Sequence, residues 1–243
     1  MPKDNIKRIC LWSGPRNIST ALMYSFAQRC DIKVYDEPLY GYYLSHNEAR
    51  EYHPGSQDIM SLMENDGHKV IEMMMGKQDK PVVFFKNMTH HLLNLDRTFM
   101  KGIVNIILTR DPVEMLPSFA KVIHLPTMHD VGYKLHAELV NYFHKMNINY
   151  IVLDSKKILL NPKKVLSHLC DICDLPFDEN MLQWKEGARP EDGIWSKYWY
   201  TNIHKSNGFI KYKTKTESFP DKLKPLLNSC IPYYEQLLKL AIG

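Results

Sequence analysis

The sequence contains no hydrophobic run long enough to span a bilayer or to act as a secretory signal, so a cytoplasmic protein without a membrane partner is expected. Nor does it contain a Pro-, Ser- or Gly-rich linker, a block of like charge or an internal repeat, and 243 residues suffice for one sizeable core. A single domain over residues 1–243 is expected. Charge of one sign is scarce as well. A net charge of +4 falls far short of the concentrated basic stripe of a nucleic-acid binder, and suits a small anionic ligand instead. The cysteines Cys10, Cys30, Cys170, Cys173 and Cys230 are an odd, scattered set, which reads as reduced thiols rather than a disulfide framework. Cys170 and Cys173 form one C-x-x-C with no second pair and no histidine at zinc spacing, so no metal is expected and the pair reads as part of a buried helix.

Against these absences stands one informative stretch, Ile9 to Tyr24. An apolar run from Ile6 to Trp12, interrupted by Lys7 and Arg8, reads as a strand; it stops at Ser13-Gly14-Pro15, and a helical pattern begins at Ser19-Thr20. A strand, a tight loop and a helix in that order make an anion site, because unpaired amides at the helix N-terminus and the helix dipole both favour negative charge. Arg16 adds a full positive charge. The nucleotide-kinase form of such a loop, G-x-x-x-x-G-K-[ST], needs a second glycine and a lysine, and both are missing before Ser19-Thr20. The loop therefore reads as phosphate-holding, but not in the manner of an ordinary ATPase or GTPase.

Downstream, Ser19 to Arg29 carries Leu22, Met23, Phe26 and Ala27 at helical spacing. Ile32 to Tyr35 reads as a short strand ending in Asp36-Glu37-Pro38, where the proline stops the ladder and leaves two carboxylates at the strand's C-terminal edge. The polar stretch from His46 to Ser56 is expected to loop over the surface, followed by one long helix carrying Ile59, Met60, Met63, Val70, Ile71 and Met74. Pro81 to Phe85 and Ile103 to Leu108 have the composition of strands buried on both faces, and Lys86 and Arg110 follow them. In open α/β sheets ligands lie outside the C-terminal strand ends, so both cations point toward the crevice of the phosphate loop. Asp111-Pro112 starts a helix that contains Pro117, Ile148 to Leu153 is a further strand, Asn161-Pro162 opens a helix, and Asp221 to Leu240 reads as a last helix. This alternation predicts a three-layer α/β domain with a mostly parallel central sheet flanked by helices.

The loop Ser-Gly-Pro-Arg-Asn-Ile-Ser-Thr resembles the P-R-S-G-[ST]-T sulfate-binding loop of the P-loop sulfotransferases. Arg110 and Ser118, in Thr-Arg-Asp-Pro-Val-Glu-Met-Leu-Pro-Ser, are similar to that family's R-[ND]-P…S motif, and the interval from Lys86 to Arg110 resembles the family's spacing. The resemblance covers residues 6–40 and 81–122. It implies a P-loop-type fold and the donor 3′-phosphoadenosine 5′-phosphosulfate (PAPS). Gly14, Pro15, Arg16, Asn17, Ile18, Ser19 and Thr20 would surround the 5′-phosphosulfate, with Arg110 and Ser118 on the 3′-phosphate. Glu37, in Asp-Glu-Pro-Leu, looks like the G-E-P segment of bacterial carbohydrate-type sulfotransferases, whose glutamate is the general base. The cytosolic aryl and alcohol enzymes have K-T-H; here Met88 stands in the histidine's place and His90 and His91 come later, so the bacterial type is the closer resemblance. The segment 187–209, with Gly193, Trp195, Trp199, Tyr200 and Gly208, resembles the late loop that the family closes over the nucleotide.

Sulfuryl transfer to an alcohol requires the sulfate oxygens to be held, the leaving phosphate to be neutralised and a base to stand near the acceptor hydroxyl. Arg16 and Lys86 are the cations assigned to the leaving group; Glu37 is the preferred base and His91 the alternative. As structural alternatives, Asp36 could cap or pair with Arg16, and Arg110 could pair with Asp111 or Glu114. Tyr35, Tyr40, Tyr42 and Tyr43 either line an acceptor pocket or simply pack. The expected activity is a sulfotransferase acting on a hydroxyl of a small molecule. A P-loop small-molecule kinase using ATP and a non-catalytic nucleotide-binding protein are the other readings, and a homodimer is compatible with all of them.

Overall fold

In the computed structural model, residues 6–214 and 217–243 are described; residues 1–5 and 215–216 of the expected domain span lie outside them. In chain order the elements are β1 (Lys7–Ser13), α1 (Ser19–Ala27), β2 (Ile32–Asp36), α2 (Tyr40–Ser45), α3 (Ser56–Leu62), α4 (Gly67–Met75), β3 (Val82–Met88), β4 (Val104–Thr109) and α5 (Pro112–Phe119). There follow α6 (Met128–Val131), α7 (Tyr133–Met146), β5 (Tyr150–Asp154), α8 (Ser155–Leu160), α9 (Pro162–Ile172), α10 (Ser196–Trp199), α11 (Lys224–Leu240) and β6 (Ala241–Ile242).

The six strands form one sheet in the order β2-β3-β1-β4-β5-β6, and every pairing is parallel. Strand alternation divides the buried side chains between two layers. Ile9, Leu11, Val82, Phe84, Ile106, Leu108 and Leu153 face one layer, where Leu22, Phe26, Ile158, Leu166 and Leu169 of α1, α8 and α9 meet them. Cys10, Trp12, Val83, Phe85, Ile107 and Val152 face the other, against Val70, Met74, Leu139, Phe143 and Leu237 of α4, α7 and α11. Each buried side chain of this size contributes about 1.5–3 kcal/mol. Phe26 stacks on Phe84 with centroids 4.3 Å apart, which fixes α1 against β3. As expected for the C-x-x-C, Cys170 is buried in α9 and Cys173 caps its end.

The order places β1 in the middle, with β3 on one side and β4 on the other. Chain connections run off in opposite directions from this point, so a crevice opens at the C-terminal ends of β1, β3 and β4. Ser13, Met88 and Thr109 close these three strands.

Three expectations need correction, and one element was not anticipated. The stretch from His46 to Ser56 runs over the surface only in part: His46, Glu48, Arg50, Glu51 and Tyr52 are exposed, but Ala49, His53 and Ser56 are buried, and α2, which hydropathy did not single out, leads into a helical turn at Glu48–Glu51. Tyr40, Tyr43, Leu44, Ala49 and Ile59 form an apolar cluster of their own with Trp195 and Tyr200, which draws this polar-looking stretch inward. The single long helix after it is two. Met63 turns extended, and Asp66 caps α4 by accepting hydrogen bonds from the amides of His68 and Lys69. Lys86 does not follow β3 but lies inside it, paired with Leu11 and Asp36. The fourth difference is α7, a 14-residue amphipathic helix that the sequence reading passed over; it starts after Gly132 at φ 77°.

Candidate active site

The loop between β1 and α1 departs from ordinary backbone geometry at two residues. Arg16 (φ 56°) and Ile18 (φ 62°) both adopt the left-handed region, which for a β-branched residue such as Ile18 costs of order 1–3 kcal/mol. Ile18 is the N-cap of α1 and supplies no capping side chain, so the first amides of the helix have no side-chain acceptor. The loop is held from behind. Asn17 Nδ2 donates to Leu108 O at 3.1 Å, and Ser155 Oγ donates to Asn17 O at 2.8 Å. Gly14 is needed for close approach, since a Cβ there would lie 2.8 Å from Val131 O.

Beside the loop is a cavity of about 530 Å³ at the strand ends, within the usual range for small-molecule sites, about 300–1,000 Å³. Pro15, Arg16, Asn17, Ile18, Ser19 and Thr20 line it, as do Glu37, Lys86, His91, Arg110 and Ser118. Every predicted site residue therefore borders it except Gly14, which acts behind the loop, and Asn17 is committed through its side-chain amide to β4. The expected lid segment also contributes, through Trp195, Trp199, Tyr200, Ile203, Ser206, Gly208 and Phe209.

A buried ionic cluster forms the floor. Parallel register places Asp36 opposite Lys86, and Lys86 Nζ donates to Asp36 Oδ1 at 2.7 Å. The same ammonium donates to Glu37 Oε1 and lies 2.7 Å from the hydroxyl of Tyr200. Glu37 is turned toward it by a left-handed φ of 43°, while its amide continues the ladder by donating to Lys86 O at 2.7 Å. Tyr200 in turn donates to Asp36 Oδ2 at 2.7 Å, and Gly193 N donates to the same oxygen at 3.1 Å. Asp36 thus pairs with Lys86 rather than with Arg16. Burial penalises the Lys86 ammonium, but Asp36 and Glu37 outweigh it and hold the pKa well above its ordinary value. Burial pushes the Glu37 carboxyl up to about 7 against the pull of Lys86, with Asp36 adding to the rise.

Arg16 Nε donates to Ser118 Oγ at 3.1 Å, and its Nη1 donates to Trp199 O at 3.0 Å. Arg110 makes the alternative ion pair named above, donating from Nε and Nη2 to Glu114 Oε2 at 3.2 and 3.1 Å. Its Nη1 also donates to Arg16 O at 2.9 Å, so the two arginines are joined through backbone. Burial, and then the charge of Arg110, lower the Arg16 pKa.

His91 occupies a different setting. Its ring lies between Tyr40 and Tyr43, with centroids at 4.9 and 4.7 Å. Burial, then neighbouring His90 and His53, hold it well below its usual pKa, so the ring is neutral at pH 7. His90 is likewise buried and pushed well down. Two residues at the site carried no assigned role in the sequence reading. Tyr200 was one aromatic among several in a turn-rich segment, and His53 sat in an expected surface loop; the signal for His53 was the apolar periodicity of Tyr40, Tyr43 and Leu44 just before it.

No helix among the described residues is long and apolar enough to cross a membrane. The sequence pattern described as a sulfotransferase domain matches residues 7–241. Two Arabidopsis thaliana proteins, named branched-chain-amino-acid aminotransferase-like protein 2 and 1, are 38% and 37% identical over 231 residues. Each match covers 93% of this chain but 40% of the relative, so the chain spans well under half the length of these relatives. Among solved structures, the sulfotransferase domain from the curacin biosynthetic pathway superposes with a TM-score of 0.52 at 14% identity, covering 94% of this chain and 98% of that one. A sulfotransferase from Alicyclobacillus acidocaldarius gives 0.52 at 11% identity, covering 96% and 95%. At such identities the likeness concerns the fold.

Proposed function

We propose that this chain, which belongs to the sulfotransferase domain family, moves a sulfuryl group from PAPS to a hydroxyl of a small-molecule acceptor. The observation that carries the reading is the cluster of Glu37, Lys86 and Asp36 on the floor of a cavity whose rim is an uncapped, positively charged phosphate loop. The residues fit the donor: uncapped amides at the start of α1 and Arg16 suit a phosphosulfate, and Arg110 with Ser118, both in hydrogen-bond contact with Arg16, lines the same cavity and would take the second phosphate. When bound, the donor would supply a sulfuryl group joined to a nucleotide leaving group. The remaining contributions are those of the chain.

Arg16 and Lys86 offer positive charge where negative charge grows on a leaving phosphate, in a setting largely withdrawn from water. Glu37 serves as the base for the acceptor hydroxyl. Its raised pKa makes it a better proton acceptor at neutral pH than an ordinary carboxylate, and Lys86 engages one of its oxygens, Oε1. His91 is a poorer candidate, because burial among aromatic rings depresses its basicity. The segment from Gly193 to Tyr200 would close the site over the donor, held by the bonds of Tyr200 and Gly193 to Asp36.

The test is to mix the purified chain with PAPS and a panel of phenols, sugars and aliphatic alcohols and to follow release of adenosine 3′,5′-bisphosphate by chromatography. Acceptor-dependent release is expected, with no phosphorylation from ATP and Mg²⁺ in a parallel reaction. Phosphorylation without sulfation would favour the kinase reading; binding of the bisphosphate with no turnover of any acceptor would favour a binding protein.

A further inference from the structure

Beside the cavity, residues 183–208 form a loop that is closed at its neck. Gln183 and Gly208 make an antiparallel bridge, Trp184 N donates to Asn207 O at 3.1 Å, and Gly187 N donates to His204 O at 2.8 Å. Inside this loop lies the carboxylate of Asp192, whose side chain is 4% exposed. It accepts hydrogen bonds from three directions. The Arg189 amide donates to Oδ2 at 2.9 Å from the outgoing arm, Nε2 of His204 lies 2.9 Å from the same oxygen on the returning arm, and the Tyr24 hydroxyl donates to Oδ1 at 2.6 Å from α1. Tyr24 is buried, its ring edge-on to Trp184 at 6.0 Å and its centre 5.2 Å from the Arg189 guanidinium. A carboxylate withdrawn from water needs such donors, so the three bonds that permit its burial also hold both arms of the loop on the helix.

The consequence lies one residue further on. Gly193 follows Asp192 directly, and its amide is the one that donates to Asp36 Oδ2. A Cβ at Gly193 would lie 2.0 Å from the Trp195 indole, so that ring is folded down onto the backbone and the chain turns tightly there. Beyond the turn, Trp195 meets Tyr40, Trp199 O meets Arg16, and the Tyr200 hydroxyl meets Asp36 and Lys86. Where the tip of the loop meets the site therefore depends on where Asp192 is fastened. Tyr24 stands five residues into α1, about 7.5 Å of rise from Ser19, and α1 begins at the phosphate loop. The helix that would hold the donor thus also holds the loop that covers the base. Resting on the sulfotransferase reading, we propose that Asp192 is a positioning residue for transfer: by fastening the loop to Tyr24 it sets Gly193 and Tyr200 on Asp36 and keeps water from Glu37.

Asp192→Asn keeps the size of the side chain but turns one accepting oxygen into a donor, and Tyr24→Phe removes only the contact with α1. In both, amide hydrogen exchange over residues 187–206 is expected to quicken roughly ten- to hundredfold, the effect of losing a hydrogen bond to a charged group. With the covering loop displaced, kcat should fall roughly ten- to hundredfold as well. The pH profile separates this from a purely structural role. Glu37 is faced by Lys86, Asp36, Tyr40 and Tyr200, and burial is the largest cause of its raised pKa, ahead of the neighbouring charges. Admitting water should therefore move the acid limb of kcat downward from about 7, against the smaller opposing effect of withdrawing donors from Asp36. A residue that only stabilises the fold would lower the melting temperature but leave the limb, and kcat per folded molecule, where they are. That result, or unchanged exchange over residues 187–206 in Tyr24→Phe, overturns the proposal even if transfer occurs. Exchange is read on the chain without PAPS, so faster exchange in both variants with no transfer by the natural chain would uphold the anchor at Asp192 and overturn the sulfotransferase reading alone.

Discussion

Lys86 Nζ and Asp36 Oδ1 lie 2.7 Å apart, and the two residues are register partners in the parallel ladder of β2 and β3. The bond is thus set by strand pairing rather than by loop conformation. Both side chains are nearly inaccessible to water, and Glu37 shares the same ammonium. Removing one member of such a group leaves the others buried and uncompensated.

Lys86→Met should therefore destabilise the chain by about 3–5 kcal/mol, the cost of breaking a buried ion pair from one side. Urea denaturation followed by far-ultraviolet circular dichroism measures this. A loss below about 1 kcal/mol, typical of an exposed pair, would contradict the buried cluster.

Tyr200→Phe removes a hydroxyl that meets both Lys86 and Asp36. Bonds to charged groups contribute about 1.5–3 kcal/mol, and this one also ties α10 to the floor of the site. Faster amide hydrogen exchange over residues 193–206 is expected, together with slower transfer. Unchanged exchange would show that Tyr200 does not fasten the segment.

Activity should rise with pH through the Glu37 transition. With its pKa raised to about 7, the fraction of Glu37 able to accept a proton grows across neutrality. Glu37→Gln should lower kcat by about 10²- to 10⁴-fold and flatten that limb. The stability effect has the opposite sign. A folded pKa above the free value of 4.5 contributes stability that is complete below 4.5 and lost as pH rises through about 7. Glu37→Gln should accordingly lose less stability than the natural chain over that window, as thermal melts at a series of pH values would register.

Arg110 and Glu114 make opposing predictions for the nucleotide. Arg110→Ala should weaken binding of adenosine 3′,5′-bisphosphate by about 1.5–3 kcal/mol per charged hydrogen bond lost. Glu114→Gln lowers the charge opposed to the guanidinium and should strengthen it. Isothermal calorimetry decides both, and identical affinities in all three proteins would remove Arg110 from the site.

Much of this site was readable from sequence because its signals are local. Ser13-Gly14-Pro15, the Asp111-Pro112 start of α5 and the apolar runs of β3 and β4 each show their conformation in neighbouring residues. The pairing of Asp36 with Lys86 was not readable, because it depends on register between strands fifty positions apart. The left-handed Ile18 and Glu37 were hidden for another reason: neither residue type favours that region, and tertiary structure imposes it. The break between α3 and α4 did have a local signal in Asn65-Asp66-Gly67, which the strong apolar periodicity on either side concealed. His53 looked like a surface residue because polar neighbours surround it in sequence, although aromatic rings surround it in space.

Arg16 and Arg110 differ in what an arriving phosphate must displace. Arg16 donates to a peptide carbonyl and a serine hydroxyl, both uncharged, whereas Arg110 donates to a carboxylate. A dianion reaching Arg16 gains a charge–charge attraction in exchange for two dipoles; one reaching Arg110 must first separate opposite charges. On the proposed reading, an arriving anion is expected to engage Arg16 before it displaces Glu114 from Arg110. A fragment carrying a single anionic group is expected to settle at Arg16 and the loop and to leave the Arg110–Glu114 pair closed.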